Sequence, residues 1–67
     1  MSVVKVIEIL AQSDKGWEDA VQQAVTEASK TVRHIKSVYV EDFQALVEDN
    51  KVVSYRVTAK ISFLLER

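Results

Sequence analysis

No cysteine occurs anywhere in these 67 residues, and that absence constrains the fold more than any residue present. A domain this short buries only about 60% of the surface its unfolded chain exposes. Its core needs a staple from disulfides, a metal or partner subunits. Without cysteine there are no disulfides and no thiolate ligands. The one histidine, His34, makes no zinc site without several carboxylates beside it. Oligomerisation is the staple that remains.

Charge narrows the choice of partners. Nine basic and ten acidic residues leave a net charge of −1, which supplies no field of one sign to hold a nucleic-acid backbone. No apolar run approaches the length of a membrane span. The opening Met-Ser-Val-Val-Lys lacks the apolar stretch and cleavage site of a secretory signal. A cytoplasmic protein with neither nucleic acid nor membrane as partner is expected. Proline is absent and Gly16 is the single glycine, so residues 1–67 read as one domain of elements joined by short turns.

Val3 to Leu10 is rich in β-branched residues and reads as a strand. Both of its faces are mostly apolar, so one covers this domain's core and the other calls for a partner chain. Ser13 or Asp14 is positioned to cap a helix running from about Lys15 to about Arg33. Trp17, Ala20, Val21, Ala24, Val25, Ala28, Val32 and Ile35 follow the spacing of one helix face. The alanines at 20, 24 and 28 let that helix approach a sheet closely.

Ile35–Val47 and Lys51–Leu65 read as two further strands, turning at Asp49-Asn50, residues that tolerate positive φ. A two-residue turn there pairs Ser37 with Ser62, Tyr39 with Lys60 and Phe43 with Arg56. Val38, Val40 and Leu46 then join Val53, Tyr55, Val57, Ala59, Ile61 and Phe63 on an apolar face suited to the helix. The other face carries Ser37, Tyr39, Glu41 and Phe43 with Ser54, Arg56, Thr58, Lys60 and Ser62. Aromatic rings beside cations on that face suit a ligand wall or a subunit interface. A strand–helix–strand crossover followed by a hairpin predicts an α+β fold. It is a βαββ chain whose three-stranded antiparallel sheet, in the order 1-3-2, wraps around one helix.

This pattern resembles the dodecin family. The resemblance rests on the opening strand VVKVIEIL, on SDKGWEDAVQQAV, on ASKTVRHI at the helix end and on the closing strand SYRVTAKISFLLE. It implies a βαββ subunit of a hollow homododecamer that binds and stores flavin between subunits and is not an enzyme. The ligand it implies is FMN or a riboflavin-like molecule. In flavin-binding members a tryptophan early in the second strand stacks on the isoalloxazine ring, and a glutamine in the third strand hydrogen-bonds its edge. Here those positions hold Ser37 and Arg56. Serine has no π face, and arginine offers only donors where glutamine offers both donor and acceptor. The chain therefore looks more like the tryptophan-less branch, some of which is described as calcium-binding.

Ser37, Arg56, Tyr39 and Phe43 are the candidate ligand-binding residues, weighed against a plain interface role for Arg56. Trp17 reads as a packing residue and His34 as a cap or surface residue at the helix end. No nucleophile–base pair or phosphate loop is visible. Glu41-Asp42 and Glu48-Asp49-Asn50 read as solvated charge, without the spacing of a calcium loop. A symmetry axis gathering single carboxylates from several chains is the remaining route to a metal site, with Glu18, Asp19 and Asp42 as candidates. The alternative function is then calcium binding, or a purely structural dodecamer with no flavin.

Overall fold

The computed structural model describes residues 2–65. Strand β1 (Val4–Ser13), helix α1 (Trp17–Ala28), strand β2 (Ile35–Glu48) and strand β3 (Lys51–Leu64) follow in chain order. The sheet is antiparallel throughout, in the order β1-β3-β2. The last strand thus runs between the first two, as the crossover argument predicts.

Helix α1 lies on one face of the sheet through its alanines. Ala20, Ala24 and Ala28 are all buried, and Ala24 and Ala28 cluster with Ala59 and Ile61 of β3. Small residues on both surfaces bring the two backbones close, and Ile7, Ile9, Val32, Ile35 and Val38 close the rim of this core. On β3, Val57, Ala59, Ile61 and Phe63 are buried while the residues between them stay partly exposed. That alternation is the period-two pattern of a strand with one covered face.

The helix is shorter than its apolar periodicity suggests, ending at Ala28 rather than near Arg33. Ser29 Oγ donates to Thr26 O at 2.7 Å and Thr31 Oγ to Ala28 O at 3.3 Å. The Ser29 hydroxyl takes up the Thr26 carbonyl, while Thr31 N at 3.0 Å and Val32 N at 2.9 Å close a last turn on Ala28 O from which the chain leaves the helix. Val32 still packs on the core, but from the connecting segment. His34 therefore stands six residues beyond the helix and not at its end. It has φ 61°, and its carbonyl accepts from Leu64 N at 3.0 Å, tying the start of β2 to β3.

The helix start also differs from expectation. β1 runs on to Ser13, three residues further than the sequence suggests, and the N-cap is Gly16 with φ 154°, without a side-chain cap. The positive φ is one glycine adopts without strain. Ser13 is buried and acts one step removed: its hydroxyl donates to Asp19 Oδ2 at 2.6 Å and accepts from Lys15 N at 3.0 Å. Gln23 Nε2 reaches the same carboxylate oxygen at 2.7 Å.

The Ser13 hydroxyl, and then the Gln23 amide, hold the Asp19 carboxyl below its ordinary value against desolvation, with Lys15 adding a smaller pull. A depressed folded-state pKa stabilises above the unfolded value of about 3.9 and is lost as pH falls through the folded value. Melting curves of the wild type and Asp19→Asn should therefore differ at neutral pH and converge in acid. A gap that stays constant down to strong acid would show that the carboxylate contributes nothing through its charge.

The hairpin turn has φ 53° at Asp49 and 64° at Asn50. Positive φ at both central residues is the two-residue turn whose twist matches that of the flanking strands.

Candidate functional site

No described residue of the single chain covers the sheet face away from α1, and the strand registers set what that face carries. Across β1, β3 and β2, one row holds Glu8, Lys60 and Tyr39, the next Leu10, Thr58 and Asp42, and the next Gln12, Arg56 and Gln44. Ser62 lies beyond them, between Val6 and Ser37. Tyr39 opposite Lys60 and Ser37 opposite Ser62 are the pairs the sequence predicts. The two serine hydroxyls meet at 2.5 Å where a stacking ring is absent.

Phe43 opposite Arg56 is not what forms. The β2–β3 register slips between Val40 and Asp42 and slips back between Leu46 and Val47. Glu41 is the extra residue of the irregularity between Val40 and Asp42. A bulge of this kind turns every later side chain to the opposite face until a second one restores the register. Phe43 therefore faces Val57 on the helix side, Gln44 replaces it beside Arg56, and Leu46 lies opposite Ser54 on the outer side.

Trp17 rewards the bulge. Its ring meets Phe43 edge-on at 5.8 Å and Tyr55 at 5.0 Å, and its Nε1 donates to the Gln44 carbonyl at 3.0 Å. The indole thus packs as the sequence predicts, and it also holds the bulged stretch of β2. Alternation alone gave no sign of the bulge. The two adjacent carboxylates at Glu41-Asp42 were the available signal, since an unbroken strand sends one of them to the helix side. In the fold Glu41 pairs with Lys60 at 3.5 Å on the exposed face.

Trp17, Val21, Val25, Val38, Val40 and Phe43 line an open apolar groove between α1 and β2. Phe43 belongs to this surface and not to the outer face with Ser37, Tyr39 and Arg56.

Arg56 is half-buried, and its Nε donates to Gln12 Oε1 at 3.1 Å. Ser62, the partner of Ser37, lies six positions further along β3. At about 3.4 Å per strand residue that is roughly 20 Å. One chain therefore does not bring Ser37 and Arg56 together. Tyr39 lies between them, 65% exposed.

For metal ions, Asp19 is engaged by Ser13 and Gln23, and Asp42 stands opposite Thr58. Among the described residues of the single chain, no three of His, Cys, Asp and Glu come together as a metal-holding group. No helix among them is long and apolar enough to cross a membrane.

The comparisons with known proteins agree with this architecture. The Dodecin family model matches residues 3–66. A dodecin from Thermus thermophilus is 33% identical over 64 residues, covering 96% of this chain and 93% of its own. The calcium dodecin of Mycobacterium tuberculosis is 35% identical over 63 residues, covering 94% and 89%. In structure, a Thermus thermophilus dodecin superposes over the full length of both chains with a TM-score of 0.93 and 31% identity. The Mycobacterium tuberculosis calcium dodecin covers 97% of this chain and 93% of its own, with a TM-score of 0.83 and 32% identity. The chain belongs to the dodecin family.

Proposed function

We propose that this protein is a non-catalytic subunit of a hollow homododecamer that holds flavin, FMN or riboflavin, as a store, with affinity lowered by Ser37 and Arg56. The observation that carries the reading is the uncovered outer sheet face. Val4, Val6, Leu10 and Tyr39 are each more than half exposed there, around the polar row of Gln12, Arg56 and Gln44. An apolar surface rimmed by such groups is what a subunit interface with a ligand pocket needs. Two outer faces related by a two-fold axis near Thr58 and Lys60 bring Ser37 of one subunit toward Arg56 of the next.

A second reading is calcium binding, favoured by the 35% identity to a protein named calcium dodecin. With no three-ligand group inside the described chain, such a site has to be assembled from single carboxylates of several subunits.

One titration series separates the two. The assembled protein, its mass checked by native mass spectrometry against twelve subunits, is titrated with FMN and riboflavin by fluorescence and with calcium by calorimetry. Weak, saturable flavin binding supports the first reading. Calcium binding with no response to either flavin would replace it with the second.

A further inference from the structure

Two cations stand on the outer face of β3, and among the described residues only one meets a carboxylate. Lys60 meets Glu41 at 3.5 Å. Arg56, on the central strand, is half-buried between the uncharged Gln12 and Gln44, with Asp42 one row away opposite Thr58. No described carboxylate pairs with it. Among the described residues its side-chain partner is Gln12, whose Oε1 accepts from Nε at 3.1 Å.

That contact orients the guanidinium without cancelling its charge. With Nε engaged, the two terminal nitrogens are left as a planar fork, the geometry that matches two oxygens of a carboxylate or phosphate. A partly buried charge with a neutral partner is costly unless an opposite charge joins it. Gln44, opposite Arg56 on the other flank, brings an amide that can donate to the same oxygens.

We propose that Arg56 is the seat of an anion, held end-on by its terminal nitrogens, and that the ligand of the outer face is a small molecule bearing a carboxylate or phosphate group. This rests on reading the outer face as a ligand wall. It goes further in assigning the charged group of the ligand, and not a neutral ring edge, to Arg56.

The test compares wild type, Arg56→Gln and Arg56→Lys in their assembled state. Inorganic phosphate is followed by phosphorus NMR line broadening and benzoate by proton saturation transfer, while FMN and riboflavin are titrated by fluorescence. A bidentate charged contact corresponds to roughly ten- to a hundredfold in affinity. The wild type should bind phosphate or benzoate, and Arg56→Gln should weaken that binding by this factor, with Arg56→Lys in between. Stronger response to phosphate or to benzoate tells which oxyanion the site takes. If phosphate is the group, FMN should bind more tightly than riboflavin, and Arg56→Gln should remove the preference.

Failure of both flavins, with an Arg56-dependent anion still bound, would remove the flavin reading and leave this assignment standing. Two results would overturn it. One is anion binding unchanged in Arg56→Gln. The other is an Arg56→Gln protein that falls apart into smaller species, because the fork would then be spent on a carboxylate of the neighbouring subunit.

Discussion

Val57→Asp should abolish the folded protein, whereas Thr58→Asp, one residue along, should still fold and lose far less stability. Val57 is fully buried in the middle of β3, with Ala11 on one side and Phe43 on the other. A carboxylate there loses its water and finds no cation among those neighbours, a cost of several kcal/mol. Core stability in so short a chain has little to spare. Thr58 points to the outer face, where it is partly exposed between Leu10 and Asp42. Its aspartate meets a like charge across the strands, which costs about 0.2–1 kcal/mol. Thermal melts followed by circular dichroism read the difference directly. Similar melting temperatures for the two variants would mean that the assignment of faces on β3 is wrong.

The second large effect is a gain. Ser37→Trp should tighten flavin binding by roughly tenfold to more than a hundredfold, the equivalent of about 1–3 kcal/mol of ring stacking. Ser37 is exposed on the outer face, and its hydroxyl meets that of Ser62. Losing that contact costs about 1 kcal/mol at most, since the freed hydroxyl remains open to water. An indole at this position presents its face to whatever lies against the sheet. Flavin fluorescence should then be quenched more fully than by the wild type. No gain, in a protein that still assembles, would mean that the pocket is closed to flavins, and calcium binding or a purely structural role would become the better reading. Tight binding by the wild type would point to another stacking group, and Tyr39 is the exposed ring on that face.

The order of elements, the central place of β3 and the turn at Asp49-Asn50 were legible because they rest on local chemistry. β-branched runs, the alanine-bearing helix face and residues that accept positive φ each act over a few positions. The faces of β3 were legible for the same reason, since that strand alternates without interruption from Tyr55 to Phe63. β2 was not, because a bulge is stabilised from a distance. What favours it is the Trp17 indole, which meets Phe43 and the Gln44 carbonyl only after the chain has folded back. The helix end was misjudged because Val32 keeps the helical spacing while the backbone tightens to i→i−3 bonds at Lys30 and Thr31 and the chain leaves the helix. At the outer face, the residue types at 37 and 56 could be read directly. Their separation along β3 needed the register, and the neutral company of Arg56 needed the bulge that puts Gln44, and not Phe43, beside it.

The strand order also dictates a timetable. β1 and β2 have no hydrogen bonds to one another, and each waits for the strand made last. During synthesis, α1 is the element that closes its own backbone bonds from local residues. The two waiting strands present unpaired edges with apolar side chains, a surface open to adhesion with other nascent chains. Once β3 appears, the tight turn at Asp49-Asn50 makes the β2–β3 hairpin the short-range step. β1 then has to return across the whole helix to add to the other side of β3. A slow phase in refolding is expected to belong to this last docking, the pairing with the greatest loop to close.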